Sequence, residues 1–232
     1  MNNARRSIWL RSLCFCMAVT GLAVSASPAS VRDYAVLRPG VAAWIQALEN
    51  DPGLAQSARG QIALDQLLWA GEVSLFIDST SLPGDSSSAR LAIDRAWQTW
   101  NALLGEETQF SRASKREEAT VVIHLRPRVY HKGVQSAGLA SWERRDGDPP
   151  SQVATIWVGT LDQEGQPLTP AAVQHIAMHE IGHLIGLDDA PQSPGVMGWI
   201  HLDKPAAGPS LEEVRLVQST RARILALREK AR

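Results

Sequence analysis

The chain is poor in cysteine. Its 232 residues include two, Cys14 and Cys16, and none follows them. This excludes a disulfide framework, a Cys-based zinc site and a thiol nucleophile from the body of the protein, so any metal there must be held by histidine and carboxylate ligands. An excess of charge of one sign is also missing. Lys and Arg number 23 against 24 Asp and Glu, for a formal net charge of −1, without the basic surplus of a dedicated nucleic-acid binder. Beyond Ala26 no run approaches the roughly 20 apolar residues that a membrane-spanning helix needs. What remains is 44% hydrophobic and 20% charged, the balance of a globular chain rather than a disordered or collagen-like one.

The first residues read as a targeting segment. Arg5, Arg6 and Arg11 are followed by an apolar run from Leu13 to Val24, and Val24-Ser25-Ala26 offers small residues at a cleavage site, the three-part order of a secretory signal peptide. Ala29 is a second possible cleavage point. The expectation is a signal peptide over 1–26 that directs the protein to a periplasm or out of the cell and takes both cysteines with it. Residues 27–70 then form a helical lead. Val41, Trp44, Ile45 and Leu48 share one helical face, Asp51-Pro52-Gly53 is a turn, and Ile62, Leu64, Leu67, Leu68 and Trp69 suggest a second helix. This lead is either an extension packed on the body or a propeptide that inhibits through a carboxylate such as Asp51 or Asp65.

Residues 71–232 read as one α/β body. Val73–Asp78 is a β-rich run. Ser86 to Leu104 places Ile93, Ala96, Trp97, Trp100 and Leu104 on one helical face, with Gly105 as the C-cap. A short strand is expected around Phe110, and the β-branched run Ala119–Leu125 fits a buried central strand. Residues 126–135 are expected to form a basic loop, and 137–143 and 153–160 two further strands. Thr169 and Pro170 open the next helix. Ser210-Leu211-Glu212-Glu213 is a capping box that opens the last one, which runs to about Lys230.

The chemistry concentrates in His179-Glu180-Ile181-Gly182-His183-Leu184-Ile185-Gly186-Leu187-Asp188-Asp189. Residues four apart on a helix lie one above the other, so His179 and His183 can meet one Zn²⁺. Glu180, beside the first ligand, is placed as a general base for water attacking a carbonyl. Gly186 lets the chain leave the helix by a left-handed turn that brings Asp189 back as third ligand, with Asp188 as the adjacent competitor. Three protein ligands leave a fourth position open, which is the arrangement of a catalytic zinc. The pattern His-Glu-x-x-His would arise in roughly 1% of shuffled versions of this chain, and the added Gly186 and Asp189 make coincidence far rarer. Glu212 or Glu213, on the last helix, is the alternative third ligand in the other arrangement built on this motif.

The stretch His179–Asp189 resembles the metzincin signature HExxHxxGxxH/D. Met197, eight residues on in Ser193-Pro194-Gly195-Val196-Met197, resembles the Met-turn beneath the zinc, and its spacing from His179 is like that of the matrixins. The resemblance covers roughly residues 71–232. It implies a matrixin-like catalytic domain of α/β (α+β) class, with a mixed twisted sheet of about five strands, an antiparallel edge strand, three main helices and zinc in the cleft. Gly138, Leu139 and Ala140 resemble the edge strand that binds substrate antiparallel. The implied activity is that of a secreted, monomeric zinc endopeptidase acting on polypeptides.

Four departures accompany the likeness. Asp189 stands where matrixins have histidine, a variant similar to the snapalysin branch. Trp199 stands where astacin-like and serralysin-like members carry tyrosine. No propeptide cysteine is present, and the loop at 126–136 lacks the histidine and aspartate set that binds structural zinc and calcium in matrixins. Calcium could involve Asp146 and Asp148, but a pair of loop carboxylates is more often simply solvated. His124 reads as a core residue, His131 as a loop residue, and His175 and His201 as neighbours of the site. The rival reading is an exported zinc-binding module that does not turn over, against which the presence of Glu180 speaks.

Overall fold

A computed structural model describes residues 35–68, 71–105, 108–145 and 151–231. The proposed signal peptide, Trp69, Asp146 and Asp148 lie outside these residues. In chain order the elements are α1 (Pro39–Asn50), α2 (Pro52–Gln56), α3 (Ala58–Leu68), β1 (Gly71–Asp78), α4 (Ser87–Leu104), β2 (Thr108–Arg112), β3 (Val121–Arg126), β4 (Val129–His131), β5 (Val134–Ser136), β6 (Gly138–Arg145), β7 (Ser151–Gly159), α5 (Pro170–Leu184) and α6 (Leu211–Lys230).

The strand runs build a five-stranded mixed sheet in the order β2-β1-β3-β7-β6. All neighbours are parallel except β6, which runs antiparallel to β7 at one edge. Val121, Ile123 and Leu125 of β3 are fully buried, as expected of a central strand covered on both faces. The crossover helix α4 buries Ala92, Ile93, Ala96, Trp100 and Leu104 and ends at Gly105, whose φ of 74° is left-handed. Asn101 at its last turn clamps Phe110 on β2, accepting from its N–H at 2.8 Å and donating to its C=O at 2.7 Å.

Two expectations need correction. The stretch 126–135 is not an irregular loop: β4 and β5 pair antiparallel as a short hairpin, His131 opposite Val134. Alternation is hard to read in strands of three residues. The lead, moreover, holds three helices rather than two, because Asp51 at the expected turn caps α2, its carboxylate accepting from Leu54 N–H at 3.1 Å. Asp51 is thus engaged at a helix start. Val41, Ile45, Leu48, Ala55 and Leu64 of the lead form a second apolar cluster with Ile224 and Leu227 of α6. Among the described residues no helix is long and apolar enough to cross a membrane.

Candidate metal centre

Helix α5 carries the central motif, and its start is fixed by local chemistry. Thr169 accepts from Ala172 N–H at 3.2 Å and Pro170 occupies the first turn, which satisfies one of the amides that helix ends leave unpaired. From α4, the Trp100 indole N–H donates to Met178 O at 3.0 Å and so fixes the middle of the helix. The exit depends on Gly186, with φ at 105°. Its turn carries Leu187 O back to accept from His183 Nδ1–H at 3.0 Å, then leads the chain to Asp189.

The structure brings His179, His183 and Asp189 together. Their possible ligand atoms lie within 4.8 Å of one another, the one such group of three found among the described residues. Asp189 Oδ1 is 3.1 Å from His179 Nε2 and 3.6 Å from His183 Nε2. Two ligands at about 2.0–2.1 Å around a tetrahedral ion stand about 3.3 Å apart, within that interval. Asp188 is not part of the group; its carboxylate accepts from Asp189 N–H at 3.0 Å.

A metal fits the donor set. His179 Nδ1–H donates to Val196 O at 2.8 Å and His183 Nδ1–H to Leu187 O. Carbonyls only accept, so each proton sits on Nδ1 and each Nε2 presents a lone pair, the orienting arrangement typical of metal-bound histidine. Both Nε2 atoms are buried without a hydrogen-bond partner, and so are both Glu180 oxygens. Four such orphans in one place would be costly unless an ion and a reacting molecule complete them.

The charges agree with this reading. Burial pushes the Glu180 carboxyl up to about 7. Burial opposes charge on His179, yet the Asp189 carboxylate beside its Nε2 and the charge of Glu180 together raise it to about 9. His183 goes the other way, to about 4, through burial and the positive charge of His179, with Arg38 adding to the effect. Near neutral pH and without metal the two rings therefore share one positive charge, because a charge on one opposes it on the other.

Around this centre lie groups that the motif alone does not reveal. Met197 is buried against Gly182, one residue before His183. Glu213 is buried and its two oxygens take four hydrogen bonds. Oε1 accepts from Ser193 Oγ–H at 2.7 Å and Met197 N–H at 2.9 Å; Oε2 accepts from Val196 N–H at 3.0 Å and Ser210 N–H at 2.8 Å. It is not among the grouped ligand atoms. The capping box accounts for the Ser210 bond only; the other three staple the Ser193–Met197 turn to α6.

His175 is also not among those ligand atoms. Its Nδ1 accepts from Ala206 N–H at 3.1 Å, so Nε2 carries the proton and donates to Val196 O at 3.3 Å, the carbonyl that His179 also uses. With Trp199, His201, Lys204 and Ala206 it lines a cavity of about 250 Å³ beside the turn. Gly138 at the start of β6 lies against Glu180: a Cβ there would stand 2.5 Å from Oε1 and 2.8 Å from Cγ. A side chain larger than hydrogen would force that carboxylate to shift. His124 pairs with Asp78 at 2.9 Å and belongs to the sheet.

Comparison with known protein families and with curated proteins finds no match to the sequence. Among solved structures, the chain is similar to archaemetzincin from Methanopyrus kandleri, with a TM-score of 0.44 and 19% identity, covering 66% of this chain and 96% of that one.

Proposed function

We propose that the protein is a zinc-dependent peptidase, with His179, His183 and Asp189 as zinc ligands and Glu180 as general base. One observation carries this reading. Two imidazole lone pairs and a carboxylate oxygen converge within 4.8 Å, and the buried Glu180 carboxylate in the same motif has no partner of its own. A site made only to hold an ion has no use for that extra carboxylate. Burial raises its proton affinity, which favours taking a proton from the attacking water and passing it to the leaving amine.

Zinc, when bound there, supplies Lewis acidity toward water and the scissile carbonyl. The protein supplies the rest. Val196 O and Leu187 O fix the two rings, and the anionic third ligand lowers the positive charge of the site relative to a third histidine. Among the described residues one edge of β6 pairs with no other strand of the sheet, and there the main chain of Gly138, Leu139 and Ala140 can pair antiparallel with an extended peptide. Matrixin-like ancestry of the snapalysin kind and export through residues 1–26 belong to the same proposal.

The test is release of new amino groups from an unfolded protein by the purified, zinc-loaded chain. Hydrolysis should stop with a chelator, return with zinc and be absent in Glu180→Ala. A chain that binds zinc tightly yet releases none would instead be a non-catalytic zinc-binding module.

A further inference from the structure

The start of the N-terminal lead reaches the candidate site. Asp188 N–H donates to Val36 O at 2.8 Å and Arg38 N–H to Gly186 O at 2.9 Å, with Leu37 opposite Leu187 in an antiparallel bridge. Residues 36–38 thus pair with the chain as it leaves α5, immediately before Asp189. From there the Arg38 guanidinium reaches β6 and lies 3.9 Å from the centre of the Trp142 ring. One short segment therefore touches both the chain that leads to Asp189 and strand β6. Side chains alternate along a strand, so Trp142 leaves β6 on the same face as Gly138, the face that meets Glu180. The segment is anchored from behind, since Val41, Ile45 and Leu48 of α1 are buried with Ile224 and Leu227 of α6.

We infer that Val36–Arg38 is the end wall of the peptide channel and Arg38 its specificity-determining residue, so that only a few substrate residues can precede the scissile bond. This rests on the reading of β6 as the strand that pairs with substrate. A peptide antiparallel to β6 has its N-terminal side toward Trp142. From Gly138, above Glu180, to Trp142 is four strand residues, about 13 Å at about 3.3 Å each. About three substrate residues fill that length before Arg38 and Trp142 stand in the path. The substrate class is accordingly the N-terminal stretch of a polypeptide, from which short pieces are trimmed, rather than the middle of a long chain.

The experiment uses the full zinc-loaded chain and a mixture of synthetic peptides, with cleavage positions read by mass spectrometry. Wild-type cuts should fall within about three residues of peptide N-termini, and Arg38→Ala should raise the ratio of interior to terminal cuts about tenfold or more. A second readout needs no turnover. Glu180→Gln protein is titrated by fluorescence anisotropy with peptides labelled at the C-terminus, bearing about two or about eight residues before the preferred bond. The longer peptide should bind about tenfold more weakly, and adding Arg38→Ala should close that gap. Interior cutting by the wild type as fast as terminal cutting, or equal binding of the two lengths, overturns the wall and leaves the hydrolase standing. Zinc-loaded wild type that cuts nothing overturns the hydrolase and the wall with it, whereas interior cutting overturns the wall alone. Should Arg38→Ala fail to fold, the wild-type cleavage map and the binding constants of the two peptides decide the wall.

Discussion

Replacing Glu213 with glutamine puts an NH₂ group where the surrounding structure presents donors. Ser193 Oγ–H and Met197 N–H point at one oxygen, Val196 N–H and Ser210 N–H at the other. If the amide nitrogen takes the first place, the serine hydroxyl can rotate to accept, but Met197 N–H is stranded; in the second place, two backbone N–H groups are stranded. An unpaired buried donor costs about 1–3 kcal/mol, and hydrogen bonds to a charged acceptor are worth about 1.5–3 kcal/mol each. Glu213→Gln should therefore destabilise the fold by about 3 kcal/mol, and Glu213→Ala, which loses all four bonds and leaves a void, by about 4–5 kcal/mol. Urea unfolding followed by tryptophan fluorescence measures this, provided the denaturant slopes match those of the wild type. The damage should extend to the metal. Val196 O orients His179, and losing an outer support of this kind typically costs about 10–100-fold in metal affinity. A glutamine variant within about 0.5 kcal/mol of wild type, binding zinc equally well, would refute the view that Glu213 holds the turn beneath the site.

Three further outcomes are expected. Gly138→Ala should lower peptidase turnover by about tenfold or more, because its Cβ would stand 2.5 Å from Glu180 Oε1 and displace the base; a steady-state assay with unchanged turnover and an unshifted melting curve would contradict this. Zinc binding near pH 7 should release about one proton, since His179 is held at about 9 in the metal-free protein. Calorimetry in buffers of different ionisation enthalpy reads the number, and zero would argue against the shared proton. Burial and the charge of His179 lower His175 to about 4, so between about pH 6.5 and 4 the unfolded chain binds a proton that the folded one refuses. The contribution of His175 to stability should fall as pH drops through that window, by at most about 3 kcal/mol, and stay level above it. His175→Gln should flatten that part of the pH–stability curve; an equally steep fall in the variant would assign the effect to other groups.

Much of the fold was legible because its signals are local. The strands β3 and β7 are rich in β-branched residues and β1 alternates apolar Val73, Leu75 and Ile77, α4 shows a 3.6-residue apolar stripe ended by Gly105, and α5 and α6 announce themselves through Thr169-Pro170 and the Ser210 capping box. The hairpin at 129–136 was not legible, because three-residue strands give periodicity too little length to register. Nor was the pairing of residues 36–38 with 186–188, since main-chain bonds of this kind leave no mark in the side-chain pattern. Asp189 and Asp188 could be ranked by spacing, but their separation in space depends on the Gly186 turn.

The histidines and Glu180 were readable for the same reason that they are not sufficient. Spacing on one helix places their side chains on a common face, and nothing in that spacing says which ring nitrogen carries the proton. That is decided by Val196 O for His179 and Leu187 O for His183, carbonyls supplied by segments outside the helix. Val196 in turn is held through its N–H by Glu213 of α6, and its carbonyl also takes the proton of His175, itself fixed by the amide of Ala206. The tautomer of the first ligand thus depends on a turn, a helix N-terminus and a downstream loop. A chain carrying the same helical motif without Glu213 or the turn at 193–197 would keep the pattern and lose the defined lone pairs, so the hydrogen-bonded support, more than the motif, is what turns two histidines and an aspartate into a metal site.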